Sequence, residues 1–283
     1  MQRFKGPKSS EGLYLSASEP FKMEIKKPIT IIKIGGNIID NPRELAQFLA
    51  DFSMIEGYKV LVHGGGKSAT KMAESIGLTP VMIDGRRITD AAMLDVVVMI
   101  YAGQINKNIV AQLQANKINA IGFTGADGNL IQSVKRNHPT INYGFVGDVI
   151  KVNTQLLETL LLNNLVPVFC AITHDGSGQL LNTNADTIAS ELAIALSEVF
   201  EVTLNYCFEK PGVLYDAEDN SSIIENINPE LYGKLKAENA IHSGMIPKLD
   251  NCFNSLSKGV QKIKIGHHSM LKNDNSICTT IEL

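Results

Sequence analysis

Short apolar runs alternate with helical periodicities along most of this chain. The first run, Pro28–Ile34, is closed by two glycines and followed by helical spacing from Pro42 to Phe52. A second run, Lys59–Val62, is followed by three glycines and a helical pattern over Ser68–Ile76. Near-continuous apolar strands that alternate with helices are typical of a parallel sheet covered on both faces. The pattern therefore predicts an α/β fold.

The rest of the chain continues this alternation. One apolar stripe predicts a long helix over Thr89–Asn116, and short strands with turns predict hairpins over Leu130–Val152. Further strands are predicted at Ala120–Phe123, Val166–Ala171, Glu201–Cys207 and Lys262–Ile265, and further helices at Asn153–Asn163, Asp186–Ser197, Asn228–Ala237 and Gly244–Ser257. We expect a single domain over residues 25–283, after a poorly ordered leader over residues 1–24.

Composition and charge exclude several classes of function. The 283 residues are 44% hydrophobic, and 26 Lys and Arg stand against 29 Asp and Glu, for a net charge of −3. Such a balance argues against a nucleic-acid partner. No apolar run reaches the roughly 18 residues of a membrane-spanning helix, and the first 24 residues lack the apolar core of a secretory signal. We expect a cytoplasmic protein without a membrane partner.

The cysteines show no pattern typical of a metal site. Cys170, Cys207, Cys252 and Cys278 are far apart in the chain and form no CxxC or Cys/His pair. We therefore predict buried free thiols in a reducing compartment and no metal bound by the protein itself.

Lys33 is the first candidate for chemistry, since it lies inside the first apolar strand just before Gly35 and Gly36. One interpretation is an edge-strand lysine whose ammonium reaches solvent. The other is a cation held at the carboxyl end of a parallel strand, where open α/β sheets bind ligands. The spacing alone leaves both open.

A second glycine turn, Gly64–Gly66, follows His63 and precedes a helix. Backbone N–H groups at such a turn favour an anion. The spacing of Gly64, Gly66 and Ala69, with Asp84 downstream, also fits a permissive dinucleotide-binding pattern, so a nicotinamide-dependent oxidoreductase is an alternative. For His63 we favour a buried structural role over a catalytic one.

Three polar segments stand out further along the chain. Arg86 and Arg87 lie in a predicted loop, where a guanidinium near two glycine turns suits a small carboxylate. The stretch LNTNAD, which ends at Asp186, contains more Asn and Asp than one helix cap explains. Lys248 is placed in the first turn of a predicted helix, where the helix dipole disfavours a cation.

Together these segments resemble the amino acid kinase family over roughly Ile25–Ile265. The matching stretches are IIKIGG, VLVHGGG, GRRITDAAMLDVVVMIYAGQINKNIV, LNTNADTIASELA, EKPGVL and GMIPKL. GRRITD with NTNAD resembles the branch that phosphorylates N-acylglutamates. The resemblance implies a three-layer α/β/α sandwich around a mainly parallel sheet of about eight strands. It also implies phosphoryl transfer from ATP, which brings Mg²⁺, to the side-chain carboxylate of N-acetyl-L-glutamate in arginine biosynthesis.

The resemblance assigns residues to roles in that reaction. The catalytic residues would be Lys33, Lys248 and Asp186, and the substrate-binding residues Gly65, Gly66, Arg87 and Asn182. The phosphates and ATP would contact Gly35, Gly36, Glu209, Lys210, Gly212, Leu214, Ala240 and His242. The amino acid would bind the N-terminal lobe, about residues 25–195, and ATP the C-terminal lobe, about residues 196–283.

Two other functions on this fold are alternatives. An N-succinylglutamate kinase would need a group for a second carboxylate, for which Lys135 and Arg136 are candidates. A non-catalytic amino-acid-sensing module would be expected to have lost Lys33, Asp186 or Lys248, and the chain retains all three. The resemblance also implies a homodimer through the helix that carries the apolar stripe. The stretch from Ser276 to Thr279 departs from the pattern of arginine-inhibited relatives, which favours an arginine-insensitive enzyme.

Overall fold

A single large sheet forms the centre of the computed structural model, which describes residues 26–83, 85–238, 240–241, 245–272 and 276–283. In spatial order its strands are β12 (Asn226–Ile227), β14 (Thr279–Ile281), β13 (Lys262–Gly266), β11 (Phe200–Cys207), β1 (Lys27–Ile34), β2 (Tyr58–His63), β8 (Val166–Cys170) and β5 (Ala120–Phe123). Neighbouring strands are parallel except β13 and β14, which are antiparallel. The predicted mainly parallel, eight-stranded sheet is confirmed.

Helices flank this sheet and complete the predicted three-layer α/β/α sandwich. They are α1 (Gly36–Asp40), α2 (Pro42–Ser53), α3 (Gly66–Ser75), α4 (Ala91–Val98), α5 (Asn106–Ala115), α6 (Thr154–Leu162), α7 (Ala185–Leu196), α8 (Pro229–Ala237) and α9 (Ile246–Ser257). Helix α2 packs with α5, and α7 packs with α9 and with strands β1, β2 and β11. The apolar strands are covered on both sides because each layer of helices buries one face of the sheet.

Local sequence signals explain where the key elements begin and why β1 is central. Asn41 caps α2, which has Pro42 in its first turn, and the Asn184 side chain accepts hydrogen bonds from two backbone N–H groups of α7. The isoleucines of β1 are almost completely buried, since this strand pairs with β2 on one side and β11 on the other. A run of β-branched residues suits such a position.

A second, four-stranded sheet was predicted only in part. The predicted hairpin is present as β6 (Ile131–Lys135) and β7 (Gly147–Val152). Two short strands, β9 (Ile172–His174) and β10 (Leu180–Asn182), extend it in the order β10-β9-β6-β7. Three residues carry too little periodicity to predict a strand. A small hairpin of β3 (Met82–Ile83) and β4 (Arg86–Arg87) replaces the loop predicted around the two arginines.

The predicted long helix is helical from Ala91 to Ala115, but its centre, Met99–Ile105, is π-helical. A π-helical segment inserts an extra residue into the helical repeat, which an apolar stripe does not reveal. The stripe is buried inside the protomer, with Val97, Ile109 and Leu113 fully inaccessible. It therefore serves the core of one chain and does not by itself indicate a dimer face.

The four cysteines are free thiols, as predicted, but only three are buried. Burial raises the pKa of the Cys170 and Cys252 thiols to about 12. Cys278 is half-buried, which corrects the prediction for that residue.

The predicted leader, residues 1–24, lies outside the residues that the structure describes. Among the described helices, none is both long and apolar enough to cross a membrane.

Candidate active site

Asp186 lies between two lysine ammonium groups. Its Oδ1 is 2.7 Å from Lys33 Nζ, and its Oδ2 is 2.6 Å from Lys248 Nζ. The three side chains are 16% to 22% exposed, so they are neither sealed in the core nor free in solvent. The structure thus brings together the three predicted catalytic residues, which come from distant parts of the sequence.

Each of these side chains is placed by the end of a secondary-structure element. Lys33 is the penultimate residue of β1, a central strand, so the edge-strand interpretation is wrong. Asp186 is in the first turn of α7, where Asn184 accepts a 2.8 Å hydrogen bond from its backbone N–H. Lys248 is in the first turn of α9. The carboxylate of Asp186 offsets the unfavourable position of the Lys248 cation near a helix N-terminus.

Charge and burial act in opposite directions on these groups. Burial alone would raise the pKa of Asp186, but Lys248 and Lys33 outweigh it and hold that pKa well below its usual range. Burial lowers the pKa of Lys33; Asp186 opposes this shift and Lys248 adds to it. Asp186 is therefore a carboxylate throughout the neutral pH range, and it is the counter-ion that keeps two cations close together.

Tyr206 contacts both Lys248 and Asp186, a role that the sequence analysis missed. The Lys248 ammonium lies 4.6 Å from the centre of the Tyr206 ring, a cation–π contact. The Tyr206 hydroxyl is 2.7 Å from Ser190 Oγ and donates to the Asp186 carbonyl oxygen at 3.3 Å. Tyr206 is paired with Lys33 across β1 and β11. Only strand pairing reveals this neighbour, so no sequence signal could have identified it.

A cleft of about 150 Å³ lies beside the charged cluster, against the first turn of α7. Its lining includes all four predicted substrate-binding residues, Gly65, Gly66, Arg87 and Asn182. Further lining residues, which the sequence analysis did not assign to substrate, are Gly64, Met82, Gly85, Arg86, Tyr101, Val146, Ala171, Thr183, Asn184 and Ala185. Tyr101 belongs to the π-helical segment, so that irregular turn shapes one wall of the cleft.

Arg87 and Asn182 are buried and held by hydrogen bonds. One guanidinium nitrogen of Arg87, Nη2, donates to the Gly66 carbonyl and to Thr70 Oγ1, both at 2.8 Å. The Asn182 side chain donates to Thr89 Oγ1 at 3.0 Å. These bonds fix both side chains at the cleft before any ligand arrives, which lowers the entropic cost of binding.

The two glycine turns differ in what they offer to an anion. Gly65 adopts φ +154°, and a Cβ there would lie 2.9 Å from Tyr101 Cδ1, so the position requires glycine. The Gly36 and Gly66 N–H groups are in the first turns of α1 and α3, where no intrahelical acceptor exists. The Gly35 N–H instead donates to the Cys207 carbonyl at 2.9 Å, so Gly35 forms the turn without presenting a free donor.

The predicted nucleotide loop, Glu209–Leu214, follows β11 and lies beside the first glycine turn. A Cβ on Gly35 would lie 3.6 Å from Phe208 Cβ. Lys210 donates to the Ala217 carbonyl and to Asn220 Oδ1, which lie just after this loop in the chain. A Cβ on Gly212 would lie 2.6 Å from Thr279 Oγ1, so this glycine permits close packing.

The other predicted nucleotide contacts lie in or beyond this loop. Glu209 is exposed, and Leu214 forms an isolated bridge with Ile223. Ala240 is half-buried just beyond α8, and His242 lies outside the described residues. None of the described members of this set lines the cleft beside Arg87, which places them apart from the predicted substrate residues.

Lys135 and Arg136 do not line the cleft beside Arg87. Arg136 is ion-paired with Asp148 and lies over the Tyr143 ring, and Lys135 lies over the Phe145 ring. Both line a separate surface cavity. Their partners argue against a role in binding a second substrate carboxylate.

His63 has the structural role that the sequence favours. Its Nδ1 donates to the Gly64 carbonyl at 2.8 Å, and its Nε2 accepts from Asn106 Nδ2 at 3.0 Å. The same Asn106 nitrogen donates to the Val168 carbonyl at 2.9 Å, which fixes its direction. Burial lowers the pKa of His63 to about 4, because a protonated ring would be desolvated and would direct a second donor at Asn106.

This histidine is expected to make the fold sensitive to mild acid. Unfolded histidine binds a proton near pH 6.5, whereas His63 binds one near pH 4, so stability present above about pH 6.5 is lost as the pH falls. From pH 7.5 to pH 5 the wild type should lose about 2 kcal/mol more free energy of unfolding than His63→Gln. Urea titrations at both pH values measure this. The exposed control His138→Gln should follow the wild type, and equal losses in His63→Gln would contradict the expectation.

Comparison with known proteins agrees with the fold. The model of the amino acid kinase family matches residues 28–267. A Cytophaga hutchinsonii protein named acetylglutamate kinase is 56% identical over 236 residues, which cover 83% of this chain and 89% of that protein. A Phocaeicola vulgatus protein of the same name is 55% identical over 241 residues, covering 85% and 94% respectively. A Streptococcus mutans crystal structure superposes with a TM-score of 0.71 at 25% identity, covering 89% of this chain and 98% of that one. The chain belongs to the amino acid kinase family.

Proposed function

We infer that this protein transfers the γ-phosphoryl group of ATP to the side-chain carboxylate of N-acetyl-L-glutamate. The observation that carries this inference is the Asp186 carboxylate held between Lys33 and Lys248 beside a cleft that contains a fixed arginine. The relatives that are more than half identical to the chain are named acetylglutamate kinase. The protein thus acts as a kinase of amino acid biosynthesis.

The reaction forms one bond and breaks one bond at phosphorus. A side-chain carboxylate oxygen of the substrate attacks the γ-phosphorus, the bond from that phosphorus to the β,γ-bridging oxygen breaks, and ADP leaves with its electron pair. The product is an acyl phosphate. Such a transfer depends on positioning and charge stabilisation, because no covalent intermediate with the protein is needed.

Lys33 and Lys248 stabilise the charge that spreads over the phosphoryl oxygens during transfer. Each ammonium group is paired with a different oxygen of Asp186, so this carboxylate sets the distance between the two ammonium groups. A preorganised pair of cations needs no reorganisation at the moment of reaction. Asp186 acts as the positioning group for both lysines.

The cleft beside α7 holds the amino acid. Arg87 pairs with the substrate α-carboxylate, and Asn182 bonds the amide portion of the substrate. Arg87 is 6% exposed and Asn182 is 8% exposed, so their polar atoms act where water is limited. With these contacts the amino acid occupies the N-terminal lobe, about residues 25–195, and its side chain is directed towards the lysines.

ATP binds the C-terminal lobe, about residues 196–283, along the loop that follows β11. Its phosphates extend towards the glycine turn that begins α1, beside Lys33. Magnesium arrives with the nucleotide: both oxygens of Asp186 are already paired with a lysine, and the described lining of the cleft beside α7 contains no carboxylate. The ion keeps phosphate and water ligands, as Mg²⁺ prefers, and neutralises charge on the phosphates.

A coupled assay tests the inference directly. Purified protein with MgATP should release ADP only when N-acetyl-L-glutamate is present, and hydroxylamine should trap the acyl phosphate as a hydroxamate. Glutamate without an acyl group is the negative control. N-succinyl-L-glutamate is assayed in parallel, and its kcat/KM should be lower. Failure to turn over the acetyl substrate would contradict the inference, and a tenfold preference for the succinyl substrate would reassign the acyl group.

Arg87→Lys should weaken amino acid binding selectively. A lysine cannot reproduce the forked geometry of a guanidinium, so the KM for N-acetylglutamate should rise about tenfold or more. The KM for ATP should change far less. Steady-state kinetics with each substrate varied in turn measure both values. The exposed control Arg43→Lys should leave both unchanged, and an unaltered amino acid KM in Arg87→Lys would remove Arg87 from the substrate site.

We also propose that two copies form an isologous dimer through the outer face of the long helix. Met99, at the start of the π-helical segment, is 57% exposed on that face. Light scattering should give twice the chain mass of 30.8 kDa, and a mass near that of one chain would contradict the dimer.

The free thiols and the use of ATP support a cytoplasmic location.

A further inference from the structure

Two histidines and a glutamate converge at a point outside the proposed active site. His267 and His268 directly follow β13, and Glu44 is in the first turn of α2. Glu44 Oε2 is 3.4 Å from His268 Nε2 and 3.9 Å from His267 Nε2. The three atoms lie within 4.8 Å of one another. Ligand atoms around a tetrahedral zinc ion, each about 2.0 to 2.1 Å from the metal, are about 3.4 Å apart, so the spacing is already close to that of a site.

The hydrogen bond of His268 directs a lone pair into this point. Its Nδ1 lies 2.8 Å from Oδ2 of Asp51, and both side chains are buried. A carboxylate only accepts, so Nδ1 carries a hydrogen, and in the tautomer with its hydrogen on Nδ1 alone the Nε2 lone pair is directed at Glu44. Two acceptors then face each other at 3.4 Å, an arrangement that a cation between them stabilises. Histidine ligands of metals are commonly oriented by a carboxylate in this way.

His267 is held next to the 3-10 turn that it precedes. Its Nδ1 accepts from the Ser269 backbone N–H at 3.3 Å and lies 3.1 Å from Ser269 Oγ, so the ring is held with Nε2 towards Glu44. His267 is 36% exposed and Glu44 is 48% exposed, whereas His268 is only 3% exposed. An ion can therefore enter from solvent between Glu44 and His267, and the third ligand, His268, is already fixed in the core.

The charges near the point favour a dication. Glu44 and Asp51 supply two negative charges, and the Lys272 ammonium, whose Nζ lies 3.4 Å from Asp51 Oδ1, offsets one of them. Gln47 also donates to Asp51 Oδ1, at 2.9 Å. Asp51 therefore orients His268 through Oδ2, while Gln47 and Lys272 contact its Oδ1.

We propose that Glu44, His267 and His268 bind a zinc ion, with water in the fourth position. Two imidazoles and one carboxylate match the preferences of Zn²⁺ and not those of Mg²⁺ or Ca²⁺, which favour oxygen ligands. The ion ties α2, in the proposed amino acid lobe, to the strand end of the proposed ATP lobe. Sequence spacing could not reveal this site, because 224 residues separate Glu44 from His268.

Metal titration of the full-length protein without nucleotide tests this proposal. After treatment with EDTA, one equivalent of Zn²⁺ should bind in calorimetry and raise the Tm, and Co²⁺ should give the intense visible bands of a tetrahedral complex. His267→Gln and Glu44→Gln should each weaken Zn²⁺ binding at least about tenfold and remove those bands. Both side chains are partly exposed, so the variants should fold, which circular dichroism verifies.

The control His138→Gln changes an exposed histidine elsewhere and should bind Zn²⁺ as the wild type does. Asp51→Asn should retain the fold but weaken binding, because the amide no longer fixes the tautomer of His268. Absence of Zn²⁺ uptake by the wild type would overturn the proposal and leave His268 as a structural side chain between the carboxylates of Asp51 and Glu44. Equal uptake by His267→Gln and the wild type would overturn it as well. Both readouts are independent of kinase activity.

Discussion

Replacing Lys33 or Lys248 with alanine is expected to lower kcat at least about 100-fold. Each ammonium is within 2.7 Å of Asp186 and is fixed before the reaction begins. The charge on the phosphoryl oxygens grows during transfer, so loss of one preorganised cation affects the transition state more than the ground state. The KM values for both substrates should therefore change much less than kcat.

Steady-state kinetics of the two variants measure this effect, with Lys71→Ala as the matched control. Lys71 is an exposed lysine on α3, so its removal should leave kcat unchanged. Circular dichroism verifies that the lysine variants fold. A variant that retains nearly full kcat would exclude the corresponding lysine from the mechanism, while the other lysine could still be tested by the same criterion.

Asp186→Asn is expected to affect both activity and stability. The amide cannot hold two ammonium groups close together, so kcat should fall by about 100-fold or more. The free energy of unfolding should decrease by about 3 kcal/mol, because removal of one partner leaves two largely buried cations without a counter-ion. Partial exposure of the cluster keeps this cost at the lower end of the usual range.

Urea titration and kinetics separate these two effects. The matched control is Glu74→Gln, an exposed glutamate on α3, which should match the wild type in both measurements. The double variant Asp186→Asn with Lys33→Met should regain part of the lost stability, since one unpaired cation is removed, but it should not regain activity. Unchanged stability in Asp186→Asn would show that the ion pairs contribute nothing to the fold.

The candidate site combines local signals with contacts that no local signal encodes. The glycine turns and the Asn184 cap are readable, because their residue types serve backbone conformations within a few positions. The neighbours of the lysines are not: Asp186 and Lys248 are 62 residues apart, and Tyr206 adjoins them through strand pairing. Family resemblance supplied the three proposed catalytic residues, but it did not supply Tyr206.

Tertiary packing removed the local reason for two interpretations. The apolar stripe on the long helix is buried in the core of the same chain through residues such as Val97 and Ile109, so the proposed dimer depends on the outer face of that helix and not on the stripe. Two basic residues on a hairpin, Lys135 and Arg136, suggested a contact with a second carboxylate. Their neighbours Phe145, Tyr143 and Asp148 hold them outside the cleft.

The sequence by itself determined the order and type of the main strands and helices. Their apolar periodicity, caps and glycine turns act over a few residues, which is the range over which sequence patterns are readable. Only the tertiary structure decided which ends of these elements meet. Packing of α7 and α9 against the central sheet brings Asp186 and Lys248 to Lys33 at the carboxyl end of β1. Packing of α2 against the residues that follow β13 brings Glu44 to His267 and His268. Both sites arise from long-range packing, because the free energy that assembles them comes from burying apolar surface far from the polar groups themselves.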